Sequence, residues 1–213
     1  MISYVDLSQP LENGMTYFPG DPEPRIVPAE TTPPWRVTQI HIVTHTGTHI
    51  DAASHFVPRG RTISDYPLER FILPGRVVPL TGRDDDELIG PDALADSLAD
   101  FPTRGALLLH LGWDRYWKTE RYLRHPYLSP GAAQLLVDRG VSLIGIDALN
   151  VDSTVQESDH AHAVLLGNDV LIVENLTRLD QLAPGVSYQC SFLPLALFRL
   201  DGSPVRAVAW RAA

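Results

Sequence analysis

The sequence is short of cysteine, of basic charge and of long apolar runs, and each shortage closes off a class of protein. Cys190 is the only cysteine among 213 residues, so neither an intrachain disulfide nor a cysteine-rich zinc site can form. In its apolar setting it reads as a small buried strand residue rather than a catalytic thiol. Acidic residues outnumber basic ones 26 to 17, for a formal net charge of −9, which argues against nucleic acid or an anionic membrane as a partner. No apolar run approaches the ~20 residues that cross a bilayer. The opening Met-Ile-Ser-Tyr-Val-Asp-Leu carries no basic segment ahead of an apolar one, so no secretory signal is expected. A cytoplasmic protein is the expectation. Internal repeats, low-complexity tracts and a dividing linker are also missing. With 44% hydrophobic and 20% charged residues, the composition suits one globular domain spanning residues 1–213.

What the chain does hold is a dense group of donors. His45, His49, Asp51 and His55 fall within eleven positions, and imidazole and carboxylate are the usual ligands of zinc and manganese. In an extended strand His45 and His49 would stand about 13 Å apart, whereas ligands of one ion each lie roughly 2.0–2.2 Å from it. A straight strand is therefore excluded if both bind one metal. A helix would align positions i and i+4, but Thr46-Gly47-Thr48 is a poor helical turn. The remaining route is a tight bend at Gly47, which tolerates unusual backbone angles and folds His49 and Asp51 back towards His45. The zinc-protease helix does not fit, because no Glu follows the first His.

Elsewhere the pattern gives a framework. Residues 3–7 read as a strand, followed by a turn-rich segment over 8–34. Residues 36–44 read as a strand containing His41 and delivering the donor group. Further strands are expected over 75–80, 106–111, 141–147, 170–173, 188–197 and 205–210. A helix starts at Pro91, and a clearer one opens at Ser129-Pro130, where Ser can cap and Pro suits the first turn, and stops at Gly140. The run Arg83-Asp84-Asp85-Asp86-Glu87 reads as a solvated turn. Trp113, Tyr116, Trp117 and Tyr122 suit either a pocket wall or a subunit interface. Strands outnumber helices without alternating with them, which predicts an α/β fold with a mixed, barrel-like β core and a few outer helices. Glu174 ends an apolar strand, where a carboxylate is costly unless it is paired or metal-bound.

The pattern His45-x-Gly47-Thr48-His49-x-Asp51-x-x-x-His55 resembles the signature of the cyclase-like metal-dependent hydrolases, which include bacterial kynurenine formamidases and isatin hydrolases. The likeness extends from Asp6-Leu7-Ser8 to Ser203-Pro204-Val205-Arg206-Ala207-Val208. It implies a swivelling β/β/α domain, commonly a homodimer. His162, twelve residues before Glu174, matches the family's His and Glu, which complete a second metal position with Asp51; His160 is the reserve choice. One ion on His45, His49 and Asp51, or two ions bridged by Asp51, are both open. The Pro19-Gly20-Asp21 loop implies Tyr17 and Phe18 as an aromatic wall for substrate, with Trp35 a weaker candidate. Gly145-Ile146-Asp147 and Asp152 resemble a further family segment in which Asn150 replaces a serine; Asp147 reads as a structural hydrogen-bond acceptor.

Chemistry follows from the donors. Three protein ligands leave a position open, and a divalent ion brings the pKa of bound water towards about 7. The resulting hydroxide can attack the carbonyl of a small-molecule amide or lactone. His55, not needed as a ligand, would be the general acid/base. The resemblance implies an arylformamidase acting on N-formylkynurenine in tryptophan catabolism. Thr48 and Ala52-Ala53-Ser54 depart from the Ala and Ala-Pro-Leu of those enzymes. They suit hydrolysis of another cyclic amide or lactone, such as isatin. A non-catalytic metal-binding homologue is the third reading, and the intact His55 speaks against it.

Overall fold

The computed structural model describes residues 3–211. In chain order, the first half contains β1 (Tyr4–Asp6), β2 (Arg25–Pro28), β3 (Thr38–His41), β4 (His49–Asp51), β5 (Ile72–Pro79), β6 (Leu88–Ile89), α1 (Asp92–Ala95) and β7 (Ala106–His110). The second half adds β8 (Tyr127–Leu128), α2 (Pro130–Asp138), β9 (Leu143–Ile146), α3 (His160–Gly167), β10 (Leu171–Glu174), β11 (Tyr188–Ser191), β12 (Gly202–Pro204) and β13 (Val208–Trp210). Nine strands form one mixed sheet in the order β1-β13-β11-β5-β7-β9-β10-β4-β12. Its middle, β5-β7-β9-β10, is parallel; the outer strands pair antiparallel.

A parallel strand covered on both faces reads as a nearly continuous apolar run. Leu107-Leu108-Leu109 in β7, Leu143-Ile144 in β9 and Leu171-Ile172-Val173 in β10 are all fully buried. Alternate side chains enter different cores. Leu107, Leu109, Ile144 and Ile172 pack with Ala133 and Leu136 of α2 and Leu165 of α3. Leu108, Leu143, Leu171 and Val173 pack on the other side with Ile50, Val77 and Cys190. Burial pushes the Cys190 thiol up to about 12, which suits an inert core residue. The sheet also curls. Ser8, just past β1, bridges to Leu176, just past β10, and Pro194 bridges to Val205, so the two ends of the strand order are drawn together. No helix among the described residues is long and apolar enough to cross a membrane.

The expected elements and the observed ones differ at the edges. The strand over 36–44 is realised only as β3, an exposed strand that pairs with β2 alone; His41 faces solvent there. β2 itself lies inside the turn-rich segment, held by Asn13, whose side chain exchanges two hydrogen bonds with the Ile26 backbone at 2.9 and 2.8 Å. The strand over 188–197 ends at Ser191. α2 begins as expected, with Ser129 Oγ accepting the Ala132 amide at 3.1 Å. Trp113 and Tyr122 belong to the helix-side core, so this aromatic group packs inside the fold rather than walling a pocket. The acidic run forms surface pairs, Asp85 with Arg121 and Asp86 with Arg124.

One buried histidine contributes to the acid response of the fold. His125 lies between the Pro126 carbonyl oxygen (3.0 Å) and Thr154 Oγ1 (2.8 Å), and burial pushes its pKa down from 6.5 to about 4. The folded chain stays neutral where the unfolded one takes a proton. The contribution is therefore complete above pH 6.5 and is lost as pH falls towards about 4. Over that interval the loss amounts to about 3 kcal/mol. Urea denaturation of His125→Gln should show a flatter acid limb than the parent between pH 6.5 and 4; equal slopes would contradict this.

Candidate metal centre

The site begins at the bend. Gly47 has φ +65°, the left-handed region that glycine adopts without strain. Its carbonyl oxygen accepts from His49 Nδ1 and Asn175 Nδ2, both at 2.9 Å. Thr48 Oγ1 donates to the Asn175 carbonyl at 2.7 Å and accepts the Gln9 amide at 2.8 Å. With its Nδ1 proton committed to Gly47, His49 turns Nε2 towards Asp51 Oδ1 (3.3 Å) and Glu174 Oε2 (3.5 Å). β4 then sets the geometry by its period of two: His49 and Asp51 share one face, while Ile50 enters the opposite core. Glu174 sits directly across from His49 in the β10–β4 pairing.

α3 supplies the next donor. His162 Nδ1 is held by Asp152 Oδ2 at 2.9 Å, leaving Nε2 3.7 Å from Asp51 Oδ2 and 3.6 Å from Glu174 Oε1. Asp152 also accepts the Ala161 and His162 amides, each at 2.9 Å, so one carboxylate anchors the helix start and aims the ring. His160 turns elsewhere, its Nε2 2.7 Å from the Leu128 carbonyl oxygen; His162 is the one brought to the cluster. His45 completes the group, with Nδ1 2.7 Å from Asp51 Oδ1 and Nε2 3.0 Å from Asp201 Oδ2. His55, on the turn Ala53–His55, lies with its ring 3.9 Å from that of His45.

Two donor groups overlap at Asp51: His45 with His49, and His162 with Glu174, each group holding its atoms within 4.8 Å of one another. Separations of 3.3–3.7 Å between His49 or His162 and the two carboxylates are too long for good hydrogen bonds. They match the spacing of about 3.4 Å between two tetrahedral ligands on bonds of roughly 2.1 Å. Asp51 Oδ2 is buried without any hydrogen-bond partner, a costly state that a cation would relieve. The donor set fits a metal.

The electrostatics agree. Burial alone would raise the Asp51 carboxyl, but His49 and His45 hold it well below the usual carboxylate range. Burial and the neighbouring Asp51 raise Glu174 to about 7. Burial would lower His45 and His162, yet Asp51 and Asp201 on one ring, and Asp152 and Asp51 on the other, raise each to about 10. Burial lowers His55, aided by His45 and His162 against Asp51 and Asp201. The carboxylates thus demand positive charge of their surroundings.

A cavity of about 320 Å³ opens over the donors, walled by Phe18, Phe56 and Leu149. Phe18 reaches it. Tyr17 and Trp35 do not line it; Trp35 is 74% exposed. Asn150 lines the cavity and caps the Asp152 amide at 2.7 Å. Asp147 accepts the Leu111 and Gly112 amides at 2.7 and 2.8 Å, away from both donor groups. Asp201, Asn175 and Phe56 also belong to the site, and no motif in the sequence marks them. Asp201 had a signal only as an Asp-Gly turn.

Fold and donor set define a curled mixed sheet carrying donor groups that could hold a metal ion. The chain belongs to the Cyclase family, whose model, described as "Putative cyclase", matches residues 5–153. It is 37% identical over 216 residues to the kynurenine formamidase of Geobacillus thermodenitrificans, covering 97% of each chain. A solved "potential metal-dependent hydrolase with cyclase activity" superposes with a TM-score of 0.84 at 27% identity, covering all of both chains. Isatin hydrolase A from Labrenzia aggregata shares the fold, with a TM-score of 0.84 at 24% identity over 100% of this chain and 94% of that one.

Proposed function

We propose that this chain, as one domain over residues 1–213, is a metal-dependent hydrolase of a small amide, an arylformamidase that removes formyl from N-formylkynurenine. The observation that carries the reading is Asp51, shared by two donor groups with an unpartnered buried oxygen, beneath a cavity edged by His55. Similarity to a kynurenine formamidase over nearly the whole chain selects the substrate. His45, His49 and Asp51 would hold one ion, and Asp51, His162 and Glu174 a second, zinc or manganese. Bound there, a divalent ion acidifies water and polarises a carbonyl oxygen.

The chain's own groups do the rest. Phe18 and Phe56 offer flat apolar surface to an aryl ring. His55, lowered by its burial, is neutral at pH 7, so it can take a proton from water and pass it to the departing nitrogen. The same reading places the protein in the cytoplasm as a homodimer. Large apolar side chains exposed at Trp35, Ile40, Leu195 and Phe198 supply surface for a second copy, and sedimentation equilibrium tests that assembly.

Thr48 and Ser54 inside the motif favour the second reading, a cyclic amide such as isatin. The test is turnover of N-formylkynurenine, isatin and an aryl lactone by metal-loaded protein. Cleavage of the first at a kcat/KM of about 10⁴ M⁻¹s⁻¹ or more, lost on chelation and restored by zinc or manganese, is the expected result. Preference for isatin would transfer the assignment. Inertness towards all three would sink the hydrolase reading for these substrates.

A further inference from the structure

We propose that Asp201 and Gly202, where the chain enters β12, are positioning residues for His45. The carboxylate would fix which ring nitrogen faces the donor group, and the absent side chain would leave the ring its seat. This rests on the metal-site reading above. Both residues lie outside the stretch matched by the family model, 5–153.

The Asp201 carboxylate is engaged at both oxygens. Oδ2 is 3.0 Å from His45 Nε2, and Oδ1 accepts from Thr44 Oγ1 at 2.9 Å, which prevents its rotation. A carboxylate on one nitrogen of an imidazole places the proton there and leaves the other nitrogen free to ligate. For His45 the other atom is Nδ1, 2.7 Å from Asp51 Oδ1; with Nε2 held by Asp201, a cation at Asp51 would take the place of the Nδ1 proton. His55 Nδ1 is 3.6 Å from the same Oδ2, beyond hydrogen-bond reach, so the hold is on His45.

Gly202 points the same way independently. A Cβ there would stand 2.9 Å from His45 Cε1 and 2.8 Å from the Ile50 carbonyl oxygen. That carbonyl belongs to the β4 backbone, paired with β12 through Ser203 and Ile50, and cannot yield. Any side chain at 202 therefore displaces the imidazole. The segment is pinned to the motif on either side: the Ala52 amide donates to the Asp201 carbonyl and the Ile63 amide to the Leu200 carbonyl, both at 2.8 Å. His162 has its own carboxylate, Asp152, so the two metal positions are separately supported.

The experiment titrates metal-free full-length protein with zinc against a chromogenic chelator. In Asp201→Asn and Gly202→Ala, affinity at the His45 position should fall by about 10–100-fold. The His162–Glu174 position should keep its affinity in both, and the thermal midpoint of Asp201→Asn should hold, while that of Gly202→Ala falls because its Cβ meets the Ile50 carbonyl. Asp152→Asn is the mirror, weakening only the His162 position. Unchanged affinities in Asp201→Asn overturn the proposal, as does equal weakening at both positions with a lowered midpoint, the mark of a general structural role. Parent protein that takes up no zinc defeats the metal reading itself, visibly and before any variant is made.

Discussion

Replacing Asp51 with alanine is expected to empty both of the metal positions proposed above at once, whereas His45→Ala should spare the one proposed at His162 and Glu174. Asp51 is 1% exposed and lies 2.7 Å from His45, 3.3 Å from His49 and 3.7 Å from His162. It is the residue common to the two donor groups. Losing a group that only supports a ligand costs about 10–100-fold in metal affinity, and losing a carboxylate that both donor groups use should cost each ion at least that much. Elemental analysis of purified Asp51→Ala should find little metal, and zinc calorimetry should show both binding steps displaced. Asp51→Asn keeps one ligating oxygen and should fall between. One tightly held ion per chain in Asp51→Ala would show that the positions do not share this carboxylate.

The parts of the fold visible in the sequence are those where local pattern and tertiary environment agree. β7, β9 and β10 are covered on both faces, so their apolar runs are unbroken and short. α2 announces itself because Ser129 caps it and Pro130 fills its first turn. The missed elements have no such agreement. β12 is Gly-Ser-Pro, which composes a turn anywhere else, and becomes a strand only because β4 lies beside it. α3 has no side-chain cap at Asp159 and buries Ala161, His162, Leu165 and Leu166. Those four share one face, but exposed Ala163 and half-buried Val164 are apolar as well, so the hydropathy of the segment lacks the amphipathic period that would reveal it.

The site divides in the same way. His45, His49, Asp51 and the bend between them are local, because the ligand distances alone require the turn at Gly47. Glu174 was legible because a carboxylate closing an apolar strand calls for a partner. Asp201 was not, since its tie to His45 depends on a strand pairing about the edge of the sheet. Nor does composition tell which ring of a proline-rich loop turns inwards: Phe18 enters the cavity and its neighbour Tyr17 does not. Trp35 follows Pro33 and Pro34 onto the surface, where Thr31 Oγ1 bonds its carbonyl oxygen at 2.8 Å.

His55→Ala is expected to keep its metal and lose about 10²–10⁴-fold in kcat, the size of a lost proton-transfer contribution. The separation of the two effects follows from where the ring sits. His55 edges the cavity, and its ring is 3.9 Å from that of His45 and 5.8 Å from that of His162. It belongs to neither donor group that shares Asp51. Deleting it therefore leaves five donors in place while removing the group best placed to carry a proton to a departing amine. Burial and the two neighbouring imidazoles favour its neutral form, which is the form that must accept the first proton. Metal content by elemental analysis and single-turnover rates on N-formylkynurenine measure the two quantities independently. A parent-like rate would leave proton transfer to solvent. Loss of metal together with rate would instead make His55 a ligand, in the third donor group that the structure forms from His45, His55 and Asp201.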